Sequence, residues 1–232
     1  MYLFFDIDAT LVEHKKASEL AAAKFLQSFA HLLPYSQVEF LRMWHEVADR
    51  HNDLYFQGKV SLIAQRRNRM REIFAPSEPN LSDTEADFRF QLYLEHYESN
   101  WTLFDDVLPC LDRLAHMRLG LISNGDLEQQ RKKLKQTGLT ERFSTILISS
   151  EIGIGKPAPE IFLEACRRAA VSPEDCLYVG DRLDVDVFPS RAVGMEGVWL
   201  NRYKTPMPDS PVPVIGTLEE LEQLLPTLVQ AR

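Results

Sequence analysis

The sequence predicts an α/β fold: a parallel sheet with helices on both faces, joined to an inserted α-helical domain. Three observations carry this. Short continuous apolar runs recur along the chain, amphipathic helical segments separate the later runs, and a long block after the first run holds helical patterns alone. Tyr2-Leu3-Phe4-Phe5 is apolar at every position, as a strand buried on both faces would be. Strands are expected likewise at residues 119–122, 145–148, 176–179 and 197–200. Val107, Leu108, Leu111, Leu114 and Ala115 repeat at helical spacing. Residues 127–137 form a charged amphipathic segment stopped by Gly138, and residues 159–170 open on Pro159, a common first-turn residue. Apolar strands alternating with helices point to a parallel sheet covered on both sides.

From about Glu13 to Asn100 that alternation stops. Helices are expected at residues 16–33, 36–51, 62–74 and 82–98, with breaks at Pro34, Gly58 and Pro76-Ser77-Glu78-Pro79. The expected domains are therefore a core of residues 1–13 and 100–232 and a helical domain of residues 14–99. An insertion directly after the first strand is expected over that strand's carboxyl end, where open α/β sheets bind ligands.

A length of 232 residues suits one large domain or a core with an insertion. Lys and Arg number 26 against 34 Asp and Glu, a net charge of −8, which argues against nonspecific nucleic-acid binding. No apolar run approaches the roughly 20 residues of a transmembrane helix, so no membrane association is expected. The first apolar stretch lacks a basic leader and a small-residue cleavage site, unlike a signal peptide. Cys110, Cys166 and Cys176 form no Cys-x-x-Cys pair, which fits a reducing, cytoplasmic setting.

Three constellations follow expected strands. Asp6-Ile7-Asp8-Ala9-Thr10 sets two carboxylates two residues apart, and such neighbours repel unless a cation or a proton compensates. The glycine and later glutamate of a calcium loop are missing, while a strand-end turn with Asp as helix cap is the plain alternative. Ser123-Asn124-Gly125-Asp126 offers a hydroxyl, an amide and backbone N–H groups to an anion, or simply caps the next helix. Gly155-Lys156-Pro157 is no Walker loop, because the leading glycine and following Ser/Thr are absent. Asp181, Asp184 and Asp186 crowd three carboxylates after one strand, which suits a hard cation or a solvated acidic turn.

Taken in order, these pieces resemble the motifs of the haloacid dehalogenase-like superfamily of hydrolases. Its four motifs are Asp-x-Asp-x-Thr, a strand-end Ser/Thr, a Lys, and Gly-Asp-x-x-x-x-Asp. Here they stand as Asp6/Asp8/Thr10, Ser123, Lys156 and Asp181/Asp186. The resemblance implies a Rossmann-like core, a helical cap inserted after the first motif, and Mg2+-dependent hydrolysis of a small phosphorylated metabolite, such as a nucleoside monophosphate or a sugar phosphate. By the same resemblance Asp6 is the nucleophile, Asp8 the acid and base, and Thr10 orients Asp8 by a hydrogen bond. Lys156 offsets charge; Ser123 and the Asn124 N–H hold phosphoryl oxygens. The metal is expected on Asp6, the Asp8 carbonyl and Asp181, with Asp186 through water or one layer out.

Other outcomes within this resemblance are a 2-haloacid dehalogenase, a phosphomutase, or a non-catalytic binding protein. Dehalogenases need neither an acid at position 8 nor the metal-binding aspartates, so the phosphatase is preferred. Many members carry glycine where Ala9 stands. In the helical block, Tyr55-Phe56-Gln57-Gly58-Lys59 followed by Arg66, Arg67, Arg69 and Arg71 looks like the cap of small-metabolite phosphatases. Four arginines so spaced cannot share one helix face, so most are expected in solvent; Trp44, His45 and His51 are expected as packing or rim residues. A monomer or homodimer is expected.

Overall fold

The structure, a computed structural model, describes residues 1–206 and 212–230, with side chains as far as residue 226. The chain divides into two compact units, Met1–Glu13 with Thr102–Arg232, and His14–Trp101.

Strands β1 (Tyr2–Phe5), β2 (Arg118–Ser123), β3 (Thr145–Ile148), β4 (Cys176–Gly180), β5 (Glu196–Leu200) and β6 (Val214–Ile215) belong to the first unit. Among the described residues they form one sheet in the order β3-β2-β1-β4-β5-β6, with every neighbouring pair parallel. Phe5 of β1 lies between Leu121 of β2 and Val179 of β4. The chain builds outward on one side of β1, then returns to build on the other. Strand order thus reverses at β1, and the carboxyl ends of β1, β2 and β4 border the crevice where such sheets take ligands.

The apolar runs become strands because the sheet centre is closed on both faces. Each β1 residue is at most 1% exposed, and full burial of such side chains stabilises by roughly 1.5–3 kcal/mol apiece. Gly120 of β2 is required by close approach, since a Cβ there would lie 2.6 Å from Cε1 of Phe4. The two-residue β6 has no counterpart in the apolar pattern, being too short to register as a run.

In the second unit, α1 (His14–Ser28), α2 (Gln37–Phe56), α3 (Leu62–Phe74) and α4 (Asp83–Ser99) pack around aromatic side chains. Phe25 meets Phe29, Phe40, Trp44 and Phe74 at centroid distances from 4.8 to 6.4 Å. Ser36, Ser61 and Ser82 cap three of these helices by accepting backbone N–H bonds from Glu39, Ala64 and Glu85. Helix α2 runs five residues beyond its expected end, and Gly58, with φ of 69°, turns the chain after it.

The arginines differ from expectation. Arg69 is buried, with its guanidinium 5.1 Å from the Trp44 ring and 5.2 Å from that of Phe90. Arg67 pairs with Asp83 and Asp87, Arg71 pairs with Asp83, and Arg66 lies over Phe90. Helix periodicity correctly splits them among faces, but the neighbouring α4 supplies acids and rings on more than one of those faces.

The remaining helices of the first unit are α5 (Val107–Arg113), α6 (Leu127–Gln136), α7 (Ser149–Ile152), α8 (Pro159–Ala169), α9 (Phe188–Ala192) and α10 (Glu219–Gln230). Ile161, Phe162, Ala165 and Cys166 of α8 join a core cluster with Tyr2, Phe4, Ile122 and Tyr178. No described helix is long and apolar enough to cross a membrane.

Candidate active site

Asp6 continues β1 by one ladder bond, its N–H donating to the Val179 carbonyl at 2.9 Å. The chain then folds over itself, because Leu11 and Val12 both donate N–H to the Ile7 carbonyl. Ala9 sits in this loop with φ of 62°, the left-handed region that glycine occupies without strain. Asp6 emerges buried, while Asp8, one turn further, keeps partial contact with solvent.

Lys156 closes the centre of the site. Its Nζ donates to Asp6 Oδ1 at 2.6 Å, to Asp186 Oδ1 at 2.6 Å and to the Tyr178 hydroxyl at 2.9 Å. An ammonium has three N–H groups, so all are used. Burial alone would favour its neutral form, but Asp186 and Asp6 together outweigh this and hold Lys156 charged, above its ordinary range. The lysine backbone is held too. Asn124 Oδ1 accepts the Lys156 N–H at 2.7 Å, and Asn124 Nδ2 donates to the Lys156 carbonyl at 2.8 Å. The asparagine side chain thereby copies a backbone pairing and ties the end of β2 to the lysine loop.

Asp181 and Asp186 follow β4. Asp186 Oδ2 accepts the Arg182 N–H at 3.0 Å, and Gly180 lets the carboxylate approach, since a Cβ at that glycine would lie 2.5 Å from it. Asp6, Asp181 and Asp186 each offer a carboxylate oxygen, all within 4.8 Å of one another. Burial and repulsion from Asp186 and Asp6 push Asp181 up to about 8. Burial, opposed by Lys156 and reinforced by Asp186, pushes Asp6 up to about 6. One lysine therefore leaves the three acids undercompensated. An all-oxygen donor set with surplus negative charge fits a hard divalent cation such as Mg2+, and suits soft metals poorly.

Asp8 stands apart from that cluster. Lys133 Nζ donates to its Oδ1 at 2.5 Å and Gln130 Nε2 to its Oδ2 at 2.8 Å, both from α6. The expected bond from Thr10 is not made: Thr10 Oγ1 is buried without a hydrogen-bond partner. Thr10 contributes through its carbonyl, which accepts from Arg202 Nη2 at 2.9 Å. Arg202 also forks onto Asp106 at 2.8 and 2.9 Å, and Asp106 accepts the Leu218 N–H. Ser123, at the end of β2, is buried and its Oγ lies 3.4 Å from Gln130 Nε2.

Asp6, Asp8, Thr10, Ser123, Asn124, Lys156, Asp181 and Asp186 thus all come from the carboxyl end of one sheet. Gln130, Lys133, Tyr178 and Arg202 are additional members that motif spacing did not reveal. Gln130 and Lys133 share the inward face of α6 with Leu134, a signal hidden by the charge of the Arg131-Lys132-Lys133 run. Tyr178 is a polar-tipped residue within an apolar run, as Tyr2 is in β1.

Residues 1–194 match the family described as haloacid dehalogenase-like hydrolase. The chain is 33% identical over 211 residues to a glyceraldehyde 3-phosphate phosphatase of Methanopyrus kandleri, covering 87% of this chain and 84% of the relative. It is 28% identical over 236 residues to the N-acylneuraminate-9-phosphatase of Homo sapiens, covering 99% and 93%. Among solved structures, the HAD-hydrolase YfnB of Bacillus subtilis, bound to magnesium, shares the fold with a TM-score of 0.81 at 24% identity over 97% of each chain. The chain belongs to the haloacid dehalogenase-like hydrolases.

Proposed function

We propose that this protein is a Mg2+-dependent phosphatase that hydrolyses a small phosphorylated metabolite through an aspartyl-phosphate on Asp6. The observation that carries the reading is the division of labour among the aspartates. Asp6 shares a buried ammonium with Asp186 beside Asp181, whereas Asp8 is held separately by α6.

In the first step a carboxylate oxygen of Asp6 bonds to phosphorus as the bond from phosphorus to the leaving oxygen breaks. Asp8 gives its proton to that oxygen, and the alcohol departs. In the second step Asp8 takes a proton from water as the water oxygen attacks phosphorus. The acyl-phosphate bond breaks, inorganic phosphate leaves and Asp6 is restored. Lys156 offsets the negative charge that meets at Asp6, and the Ser123 hydroxyl and Asn124 N–H bind phosphoryl oxygens.

Asp6 and Asp181, with the Asp8 carbonyl, would hold Mg2+, which when bound supplies charge neutralisation at the phosphoryl group. Both oxygens of Asp186 already accept bonds from Lys156 and Arg182, which favours an orienting place for it behind the metal ligands. The catalytic work is assigned to the sheet unit and substrate selection to the helical unit, read as the cap.

Glyceraldehyde 3-phosphate and N-acylneuraminate 9-phosphate, the substrates in the relatives' names, both carry phosphate on a terminal primary carbon. That shared chemistry supports a primary phosphomonoester of a small polyhydroxylated metabolite. Phosphate release from a panel of such esters, nucleoside monophosphates and p-nitrophenyl phosphate tests the reading. Turnover is expected with Mg2+, is expected to stop with chelator, and is expected to vanish in Asp6→Asn. Chloride release from a 2-haloacid without metal, and no phosphate release, would overturn it.

A further inference from the structure

We propose that Lys133 and Gln130 are positioning residues that clamp the Asp8 carboxylate in the orientation from which it transfers its proton. The inference rests on the phosphatase reading of Asp8, and deepens it by assigning work to a helix outside the four motifs.

The clamp is built, not incidental. Helix α6 carries four basic side chains, Arg131, Lys132, Lys133 and Lys135. Three are exposed, as a solvated helix face should be; Lys133 is 1% exposed. A lysine is seldom buried without a compensating partner, because taking its charge from water is unfavourable. Here Asp8 Oδ1 is that partner, at 2.5 Å. Gln130, one turn earlier on the same face, is also buried and reaches the other oxygen at 2.8 Å. Each carboxylate oxygen therefore has its own donor, which fixes the plane of the carboxylate as well as its place.

The amide of Gln130 has a defined direction. Its Nε2 faces Asp8 Oδ2, the Asn124 carbonyl at 3.1 Å and Ser123 Oγ at 3.4 Å, three atoms able to accept. Turning the amide over would set its oxygen against the carboxylate and the carbonyl. The same side chain thus links Asp8 to the end of β2, where the phosphoryl group is read to bind. Asp126 caps α6 by accepting the Gln129 N–H, and Ser150 accepts the Leu127 N–H, so the first turn that carries Gln130 is itself anchored.

A positioning residue for the acid should matter most when the leaving group most needs a proton. The test is a series of aryl phosphates from p-nitrophenyl to phenyl, with Lys133→Met, Gln130→Leu, Lys133→Arg and, as a surface control, Lys135→Met. Phenyl phosphate is expected to lose about tenfold more kcat than p-nitrophenyl phosphate in Lys133→Met, with KM little changed. Gln130→Leu should steepen the leaving-group dependence in the same sense, Lys133→Arg should restore most of it, and Lys135→Met should leave it as in the unaltered protein. Equal losses along the series would show a merely structural role and overturn the proposal.

A double-mutant cycle of Asp8→Asn and Lys133→Met, read by thermal unfolding, examines the clamp without turnover. Non-additivity of about 2 °C or more is expected for groups in direct contact; additive shifts would refute the clamp. Should the unaltered protein release no phosphate, the phosphatase reading fails and the cycle alone decides whether Asp8 and Lys133 are coupled. Should Lys133→Met not fold, the Gln130→Leu series decides instead.

Discussion

Replacing Lys156 by Met keeps most of the side-chain stem and removes the ammonium that bridges Asp6 and Asp186. Breaking a buried ion pair by deleting one partner destabilises by roughly 3–5 kcal/mol, because the other charge stays buried without compensation. For a chain of this size, 1 kcal/mol corresponds to roughly 2–4 °C. A fall in Tm of about 10 °C is therefore expected at pH 8 in metal-free buffer.

The same structure predicts how that fall depends on pH. Asp6 is raised to about 6 from an unfolded value near 3.8, even with Lys156 beside it. A folded-state value above the unfolded one means that stability is greatest at low pH and declines as pH rises toward the folded value. Without Lys156 the attraction that lowers Asp6 is gone, so its decline continues past pH 6. At pH 5 Asp6 and Asp181 are largely protonated in either protein and the difference should shrink. Calorimetry at pH 5 and pH 8 in the presence of chelator measures both numbers. An equal loss at the two pH values would refute the claim that the lysine acts through the aspartate charges.

Ala9→Gly should raise stability by about 0.5–1 kcal/mol, because it relieves a left-handed alanine at more than the entropy glycine adds to the unfolded chain; an unchanged urea midpoint would refute this. Gly180→Ala sets a Cβ 2.5 Å from Asp186 and should lower stability by roughly 1–3 kcal/mol, with reduced phosphate release, measured in the same preparation. Mg2+ affinity should rise with pH up to about 8, where Asp181 loses its proton, and binding at pH 7 should release protons to the buffer. Titration calorimetry in two buffers of different ionisation heat reads that release, and its absence would remove Asp181 as a ligand.

Much of the sheet was legible because central parallel strands are buried on both faces and so are written as unbroken apolar runs. Tyr2-Leu3-Phe4-Phe5 is the extreme case. The acids were legible because they follow such runs, where a sheet presents its ligand groups; Lys156, a lone lysine before a proline, stood out only through the resemblance of the ordered motifs to the family. What escaped notice has a common physical cause: its meaning lies in partners far along the chain. Lys133 reads as one more charge on a polar helix until α6 is docked and Asp8 lies beneath it. Thr10 reads as a hydroxyl donor, yet the loop points its carbonyl at Arg202. Arg69 reads as surface because the rings that make its burial favourable, those of Trp44, Phe90 and Tyr93, come from other helices. Segment β6 is two residues long and leaves no periodic trace.

The hold of Arg202 on the Thr10 carbonyl joins residues 192 positions apart. The match to the family ends at residue 194, eight residues short of this anchor. Proteins are translated from the N-terminus, and at 5–20 residues per second those positions are made roughly 10–40 s apart. A chain stopped at residue 194 would carry every recognised motif residue and lack the guanidinium that pins their loop. The loop that presents the first two aspartates therefore gains this donor only once residue 202 has been made.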